Sequence, residues 1–220
     1  MRIAKQSNEL LSQLSEGRVY SWSELKEYSN SPGRHVKRLL DKGLLNKVGP
    51  GLYSPPKKSR FGVVPPKEDE LVKNFLKSED FLLFSTNLYN SLDLGLTQLK
   101  NETVVYNKKR YEPVELAGRK YDFKRPNNGY PNKLTVEFLV VDLMNNLKSV
   151  GEDSTKLKDN VNKAVRSSKF NKELLLDLAN RYGKVGTKKF FSQFADESNS
   201  ITGELLLKNN SSNMKNKKAS

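Results

Sequence analysis

The side chains that most often carry chemistry are scarce in this chain of 220 residues. It contains no cysteine, and His35 is its only histidine. These counts exclude a thiol-ligated metal site, a histidine-rich metal site and any mechanism that needs two imidazoles. The sequence also lacks a P-loop, the glycine motif of dinucleotide-binding folds and the Gly-x-Ser-x-Gly motif of hydrolases. We therefore expect a protein that is not an enzyme and that uses no metal ion or cofactor.

Five carboxylates in the second domain are candidates for chemistry, but they are scattered along the chain: Glu112, Glu115, Asp122, Glu137 and Asp142. The last two lie five residues apart on a predicted helix, so they do not share a face as an acid–base pair or as metal ligands would. One catalytic alternative stays open. Glu115 with Lys120, or Asp122 with Lys124, resembles the acid and lysine cluster of a nuclease, although charge pairs on exposed strands give the same pattern by chance.

Basic residues form the more informative pattern. The chain has 39 Lys and Arg against 25 Asp and Glu, a net charge of +14 and a pI near 9.7. The surplus is concentrated in residues 1–60 and 151–220, whereas residues 61–150 are close to neutral. This distribution favours an anionic partner, of which nucleic acid is the commonest. A lysine-rich surface that serves only solubility is the alternative.

The strongest local pattern is a predicted basic helix over residues 33–42. Ser31 is a favourable N-cap, Pro32 suits the first helical position and Gly43 ends the helix. Apolar residues at helical spacing form one face and leave the charged residues mainly on the other: Arg34, His35, Lys37, Arg38 and Asp41. A lone histidine on such a helix is expected to be a solvated or phosphate-side residue.

The neighbouring elements complete a characteristic order. An apolar-periodic helix runs from Ile3 to Leu14, and Ser21 followed by Glu24 predicts a capping box that begins a short helix. After the basic helix, two short strands flank a glycine–proline turn at residues 49–51. This order of elements is typical of a winged helix-turn-helix. Such modules also serve as protein-binding or spacer units, but the basic helix and basic wing favour DNA.

In a DNA-binding module of this kind, the basic helix enters the major groove and the wing lies along the backbone or minor groove. Arg34 and Arg38 are then candidates for bidentate guanine contacts, and Lys37 and Lys47 for phosphate contacts. Ser31 and the N-terminus of the helix can hold a phosphate through backbone N–H groups.

Prolines and composition divide the chain into domains. Residues 1–56 are expected to form the DNA-binding domain. One proline pair precedes residues 57–66 and a second pair ends them. Neither a helix nor a central strand can persist there, so this stretch is expected to be an extended connector. Residues 67–207 form the second domain, and the polar, lysine-containing residues 208–220 are expected to be a disordered tail.

The second domain combines short strands with helices. Apolar runs predict strands near residues 81–84, 103–106, 111–116 and 120–123, joined by hairpin turns into a small antiparallel sheet. From Leu134 onward the apolar period is that of three or four helices, so the fold class is α+β. The hairpins carry a second basic face that either supplements the DNA contacts or is an ordinary solvated surface: Lys108, Lys109, Arg110, Arg119, Lys120, Lys124 and Arg125.

The order of these features resembles a known family. The basic helix "SPGRHVKRLLDKG" and the wing "KVGPGLYSPP" precede "NSLDLGLTQL" and "YNKKRYEPVELAGRKYDFKRP". They are followed by "KLTVEFLVVDLMNNL" and "FNKELLLDLANRYGKVGTKKFFSQF". Over roughly residues 8–195 the chain is similar to the AbiEi-type antitoxins and antitoxin-like transcriptional regulators of type IV toxin–antitoxin systems. The tail from about Lys208 is not part of that pattern.

The resemblance implies a specific function. The winged helix would bind inverted repeats in the protein's own promoter and repress the operon. The C-terminal domain would counter a nucleotidyltransferase-like toxin, without requiring a stable complex with it. Among the residues that match the family's DNA-binding module, the resemblance implies DNA contacts from Ser31, Arg34, Lys37 and Arg38 and from the wing residues Lys47 and Tyr53.

Two other functions stay open. One is a nuclease that a winged helix directs to DNA, and the other is a protein-interaction module whose basic surface docks an acidic partner. No uncharged stretch approaches the about 20 residues of a membrane helix, and the N-terminus lacks the apolar core of a secretory signal. We therefore expect a cytoplasmic protein with no membrane partner.

Overall fold

Three helices and a small sheet form the first part of the chain in a computed structural model, which describes residues 2–100, 102–151 and 153–195, with side chains from residue 6 onward. The elements follow in this order: α1 (Arg2–Ser12), β1 (Tyr20–Ser21), α2 (Trp22–Glu27), α3 (Pro32–Asp41), β2 (Asn46–Gly49) and β3 (Leu52–Ser54). The strand β3 pairs antiparallel with both β1 and β2.

Local signals begin and end these helices. The predicted capping box of α2 is confirmed, because Glu24 N–H donates to Ser21 Oγ at 3.3 Å and Ser21 N–H donates to Glu24 Oε2 at 2.7 Å. Pro32 lies in the first turn of α3 as predicted, but the Ser31 side chain forms no capping hydrogen bond. Gly43 follows α3 with φ +66°, a left-handed conformation that glycine adopts without strain.

The apolar faces of the three helices meet over the sheet in one cluster. Its fully buried members come from every part of this segment: Leu10, Tyr20, Leu25, Val36, Leu39 and Leu45. Burial of a side chain of this size stabilises the fold by about 1.5–3 kcal/mol. The cluster therefore fixes the orientation of α3 and leaves its opposite face to solvent.

A second hairpin occupies the stretch where an extended connector was expected. The strands β4 (Lys57–Ser59) and β5 (Gly62–Val64) pair antiparallel, with Ser59 opposite Gly62 across a two-residue turn. Both strands are exposed along their whole length. The flanking prolines are compatible with strands here because this hairpin has no further strand that would need their missing N–H groups.

The next elements are α4 (Glu68–Leu76) and the strands β6 (Phe81–Ser85), β7 (Thr103–Asn107), β8 (Pro113–Leu116) and β9 (Arg119–Lys124). The sheet order is β6-β7-β9-β8, and β7 runs parallel to β9. The prediction of an antiparallel sheet is therefore wrong at this pair. The residues between β7 and β8 are not a hairpin turn, because β9 lies between these two strands.

One hydrophobic core joins this sheet to the N-terminal elements. It is made of Val19, Val48 and Leu52 from the first part of the chain, together with Leu71, Val72, Leu76, Val105, Leu116, Tyr121 and Phe123. Ala117 N–H also donates to the Val48 carbonyl at 2.7 Å. Residues Met1–Thr86 and Asn101–Pro126 accordingly form one compact unit, here called unit 1. Its limits differ from the sequence-based domain boundaries, because the buried side chains of β1–β3 need the second sheet to cover them.

Helices dominate the other compact unit, unit 2, which comprises Asn87–Lys100 and Asn127–Ser220. A 3₁₀ helix (Thr86–Leu92) leads into it, and α5 (Val136–Asn145), α6 (Leu147–Val150), α7 (Ser154–Arg166) and α8 (Lys172–Tyr182) follow. A further helix, α9, runs over residues 185–195. The mixed α+β class is as predicted. The predicted tail lies outside the described residues.

Side chains of α5 form the centre of unit 2. The run from Phe138 to Met144 is buried, and the Phe138 ring lies 5.8 Å from the Tyr182 ring of α8. Within the described ranges, none of the helices combines the length and apolar character that crossing a bilayer requires.

Candidate nucleic-acid interface

The exposed side of α3 carries a net positive charge, with Asp41 as the one carboxylate of the helix. Arg34 and Lys37 are exposed and Arg38 is half-buried, and their spacing of three and four residues places them on one face of the helix. We call these three residues the α3 face. Within the described part of the chain none of them forms an ion pair. Their donors are therefore available to an external anion.

His35 lies on the buried side of the same helix. The prediction placed it with the DNA contacts, but its side chain is only 4% exposed and Nδ1 lies 2.7 Å from Ser29 Oγ. His35 was expected to be solvated or to face phosphate, and this prediction is wrong. Residue 35 lies one helical turn before the buried Leu39, so the two side chains share the buried face of α3. The same spacing in the sequence was the signal that could have placed it correctly.

Ser29, which sequence reasoning missed, organises the turn before α3. Its hydroxyl accepts the Ser31 N–H at 3.2 Å and contacts the His35 ring. Because a hydroxyl can both donate and accept, Ser29 Oγ can serve the Ser31 N–H and the His35 ring at the same time. Ser31 is left exposed at the start of α3, with no side-chain cap of its own.

The hairpin formed by β2 and β3 presents the two residues predicted for the wing. Lys47 is exposed and faces Tyr53 across the strand pair. The Tyr53 ring is half-buried and lies 6.0 Å from the ring of Trp22, at the start of α2. Trp22 N–H donates to the Gly51 carbonyl at 2.8 Å, which ties the tip of the hairpin to α2. The hairpin is thus held by the same short helix that precedes the turn to α3.

Further cations lie on the β4–β5 hairpin, within residues 57–66 that were predicted to form an extended connector. Lys57, Lys58 and Arg60 are exposed there, and the Arg60 guanidinium lies 4.6 Å from the centre of the Phe61 ring, itself 84% exposed. From Lys42 to Lys67 the sequence contains six basic residues and no carboxylate. In the sequence, this run of positive charges without a carboxylate, together with Gly62 between two proline pairs, indicates a basic hairpin.

The second basic face has a different role in the structure. Lys109 Nζ donates to the carbonyls of Leu76 and Lys77 at 3.0 and 2.9 Å, at the C-terminal end of α4. A cation is favourable there, because the free carbonyls of a helix end carry partial negative charge. The Arg110 guanidinium lies over the Phe75 ring at 5.1 Å.

Two more of these cations have carboxylate partners. Lys108 pairs with Asp80 at 2.7 Å and Arg119 pairs with Glu68 at 2.5 Å. Lys120 is exposed and lies opposite Glu115 on the neighbouring strand. Four of the seven residues of this second basic face are thus engaged with α4 or the segment that follows it, and the structure does not bring these four to the α3 face.

The acid–lysine pairs considered for a nuclease lie beside one another on the exposed side of β8 and β9, where opposite charges neighbour each other as on an ordinary solvated strand pair. Asp122 forms an ion pair with Lys124 of its own strand at 2.8 Å, and Glu115 lies across from Lys120 on an exposed edge. In unit 2, Asp142 is buried and accepts a hydrogen bond from Tyr89 Oη at 2.5 Å. In the described ranges, no three histidine, cysteine or acidic side chains are grouped as metal ligands would be.

One titratable group of unit 1 is strongly perturbed. Burial, and after it the Glu68 carboxylate, raise the pKa of Tyr121 to about 12, against an opposing effect of the Arg119 guanidinium. The Tyr121 hydroxyl is fully buried and has no hydrogen-bond partner among the residues that the structure describes. Tyr121 therefore stays neutral at any physiological pH and acts as a core residue with an unsatisfied polar atom.

Comparisons with known proteins gave no match, whether the chain was compared with family models, with curated proteins or with solved structures.

Proposed function

We propose that unit 1 contains a winged helix-turn-helix that binds double-stranded DNA through α3 and the β2–β3 hairpin. The observation that carries the proposal is the α3 face, whose three cations have no ionic partner in the described part of the chain. A helix of this charge inserted in the major groove places arginines beside base edges. The β2–β3 hairpin then serves as the wing, with Lys47 contacting phosphate.

The β4–β5 hairpin supports the same proposal. Its three exposed cations continue the run of basic residues that begins at Lys42, and no carboxylate interrupts that run up to Lys67. Contacts of this kind add affinity without sequence preference, because they neutralise phosphates. We assign the base preference to Arg34 and Arg38 and the general affinity to the two hairpins.

We further propose that the protein is a cytoplasmic, non-enzymatic antitoxin and autorepressor. The sequence resemblance to AbiEi-type regulators supports this role, in which the DNA site is a set of inverted repeats in the protein's own promoter. The partner is a nucleotidyltransferase-like toxin that unit 2 counters, without a stable complex being required.

The proposal is tested by binding of the purified full chain to its own upstream DNA and to a scrambled duplex of equal composition, at two salt concentrations. We expect at least about 10³-fold tighter binding to the upstream DNA and a steep decrease in affinity with salt. Weak, equal and salt-sensitive binding to both duplexes would contradict a sequence-specific repressor and leave only a basic surface.

Variants separate base readout from phosphate contact. Arg34→Ala and Arg38→Ala should each weaken binding to the upstream DNA by about 1–3 kcal/mol and reduce the preference over the scrambled duplex. Lys47→Ala should weaken both duplexes to a similar degree. Arg181→Ala, which removes an exposed helical arginine of unit 2, is the matched control and should change neither affinity. Equal losses on both duplexes for all three unit 1 variants would contradict the assignment of the arginines.

A further inference from the structure

Unit 2 contains a cleft of about 600 Å³ that is independent of the proposed DNA interface. Three lysines from three different segments line it: Lys148 of α6, Lys158 of α7 and Lys184 before α9. Among the described residues, its lining contains no carboxylate. The side chains of Met144 and Leu147 give it an apolar wall. We call this feature the lysine cleft.

The N-terminus of α9 opens into the lysine cleft. Lys188 N–H donates to the Lys184 carbonyl at 2.9 Å, which is the first hydrogen bond of this helix. The N–H groups of residues 185–187 therefore have no acceptor within the helix. The N-cap position is a lysine, whose ammonium group cannot accept a hydrogen bond. At Gly186 a β-carbon would meet no atom within 4 Å, so space is open beside these donors.

A second, independent observation comes from Thr187. Its side chain is 3% exposed and belongs to the lining of the cleft, and in the described part of the chain its hydroxyl forms no hydrogen bond. Its oxygen is not one of the fully buried side-chain atoms that lack a partner, so it keeps access to the cleft. The free hydroxyl adds a donor beside the free N–H groups of the same helical turn.

Lys184, which lies beside these donors, is positioned by two hydrogen bonds to Asn145. Lys184 N–H donates to Asn145 Oδ1 at 2.7 Å, and Lys184 Nζ donates to the Asn145 carbonyl at 2.9 Å. That carbonyl is neutral, so the ammonium charge of Lys184 is not compensated. Lys148 and Lys158 are exposed and form no ion pair with any described residue.

We propose that the lysine cleft binds the phosphate group of a small phosphate ester of about mononucleotide size. A phosphate dianion accepts hydrogen bonds and donates almost none, which matches a site built from N–H, hydroxyl and ammonium donors at a helix N-terminus. The volume lies within the range of about 300–1,000 Å³ typical of small-molecule sites. The concave shape with an apolar wall favours such a ligand over the backbone of a duplex.

The test is a titration of the ¹⁵N-labelled full chain with AMP and with inorganic phosphate, with adenosine as the phosphate-free control. Both phosphate probes should shift the amide signals of Gly186 and Thr187 in a saturable way, and adenosine should not. Lys158→Gln and Thr187→Val should each weaken AMP binding by about 10-fold, the effect expected for one hydrogen bond to a charged group. Lys156→Gln, an exposed lysine of α7 outside the cleft lining, is the matched control and should leave the affinity unchanged.

Three results would overturn the proposal. The first is the absence of a saturable shift at Gly186 and Thr187, and the second is an equal loss of AMP affinity in Lys156→Gln and Lys158→Gln. The third is a shift of these amides by a short DNA duplex but not by AMP, which would assign the cleft to nucleic-acid phosphates. The promoter-binding experiment above does not involve these residues, so the two proposals fail separately.

Discussion

Single side chains decide how the turn before α3 is built. Ser29 contacts both Ser31 N–H and the His35 ring, and so links the turn to the first part of the helix that follows it. This arrangement explains why a histidine on a basic helix is buried. It also leaves the exposed face of α3 to the arginines and lysine, which have long side chains that can reach an anion.

Tyr121 gives a prediction about stability at high pH. Its pKa is near 10.0 in the unfolded chain and about 12 in the folded protein. Above pH 10 the unfolded state therefore loses a proton that the folded state keeps, and the free energy of unfolding must decrease as the pH rises from 10 to 12. We expect this contribution to decrease by about 1.4 kcal/mol per pH unit in that range, and Tyr121→Phe to abolish it.

Urea unfolding of the wild-type protein and of Tyr121→Phe at pH 8, 10 and 11 measures this effect. At pH 8 the variant should be at least as stable as the wild type, because it lacks the unsatisfied buried hydroxyl. Tyr111→Phe is the control, since Tyr111 is 69% exposed, and its pH dependence should match that of the wild type. Parallel curves for the wild type and Tyr121→Phe would show that the hydroxyl is not desolvated.

At the scale of the elements, the crossing from β7 to β8 depends on one buried amide. Asn107 Nδ2 donates to the carbonyls of Val105, Arg110 and Lys124 at 3.2, 3.0 and 3.3 Å, and Oδ1 accepts the N–H groups of Lys109 and Arg110 at 2.8 and 2.6 Å. These bonds turn the chain out of the sheet. The same turn brings Lys109 to the end of α4.

Asn107→Ala should therefore destabilise the protein by about 1–3 kcal/mol, since it leaves one buried and several part-buried backbone groups without this partner. Urea unfolding at neutral pH measures the change. Asn132→Ala, at an exposed asparagine, is the control and should stay within about 0.5 kcal/mol of the wild type. A loss no larger than that of the control would mean that water replaces the amide at this turn.

At the scale of the whole molecule, the N-terminal elements do not complete their own core. Val19, Val48 and Leu52 pack against residues of α4 and of the second sheet. A Cβ on Gly49 would lie 2.6 Å from Leu116 Cδ2, which shows how closely β2 approaches that sheet. The proposed wing therefore packs against residues that lie far along the chain, such as Leu116.

This packing predicts that residues 1–66 are not an independent domain. A fragment of residues 1–66 exposes the three apolar side chains that the second sheet covers, so we expect it to unfold at lower urea concentration than a fragment of residues 1–126, which contains all of unit 1. Circular dichroism during urea titration compares the two. Equal stability would support the sequence-based boundary near residue 56 and contradict a shared core.

The sequence by itself determined the local elements of this protein. Capping residues, prolines, glycines and apolar periodicity act within a few positions, so the capping box of α2, the start of α3, the β2–β3 hairpin and the helices after Leu134 were all predictable. The three cations of the α3 face were also predictable, because their spacing relative to the buried residues decides their side of the helix.

Only the tertiary structure decided which contacts the basic residues outside α3 form. The cations of residues 108–119 resemble those of α3 in sequence, but they are engaged by the end of α4, by Glu68 of that helix and by Asp80 after it. The parallel pairing of β7 with β9 and the core shared across unit 1 also depend on contacts between distant residues. Such contacts leave no local period in the sequence, because their energy is realised only when both partners are buried together.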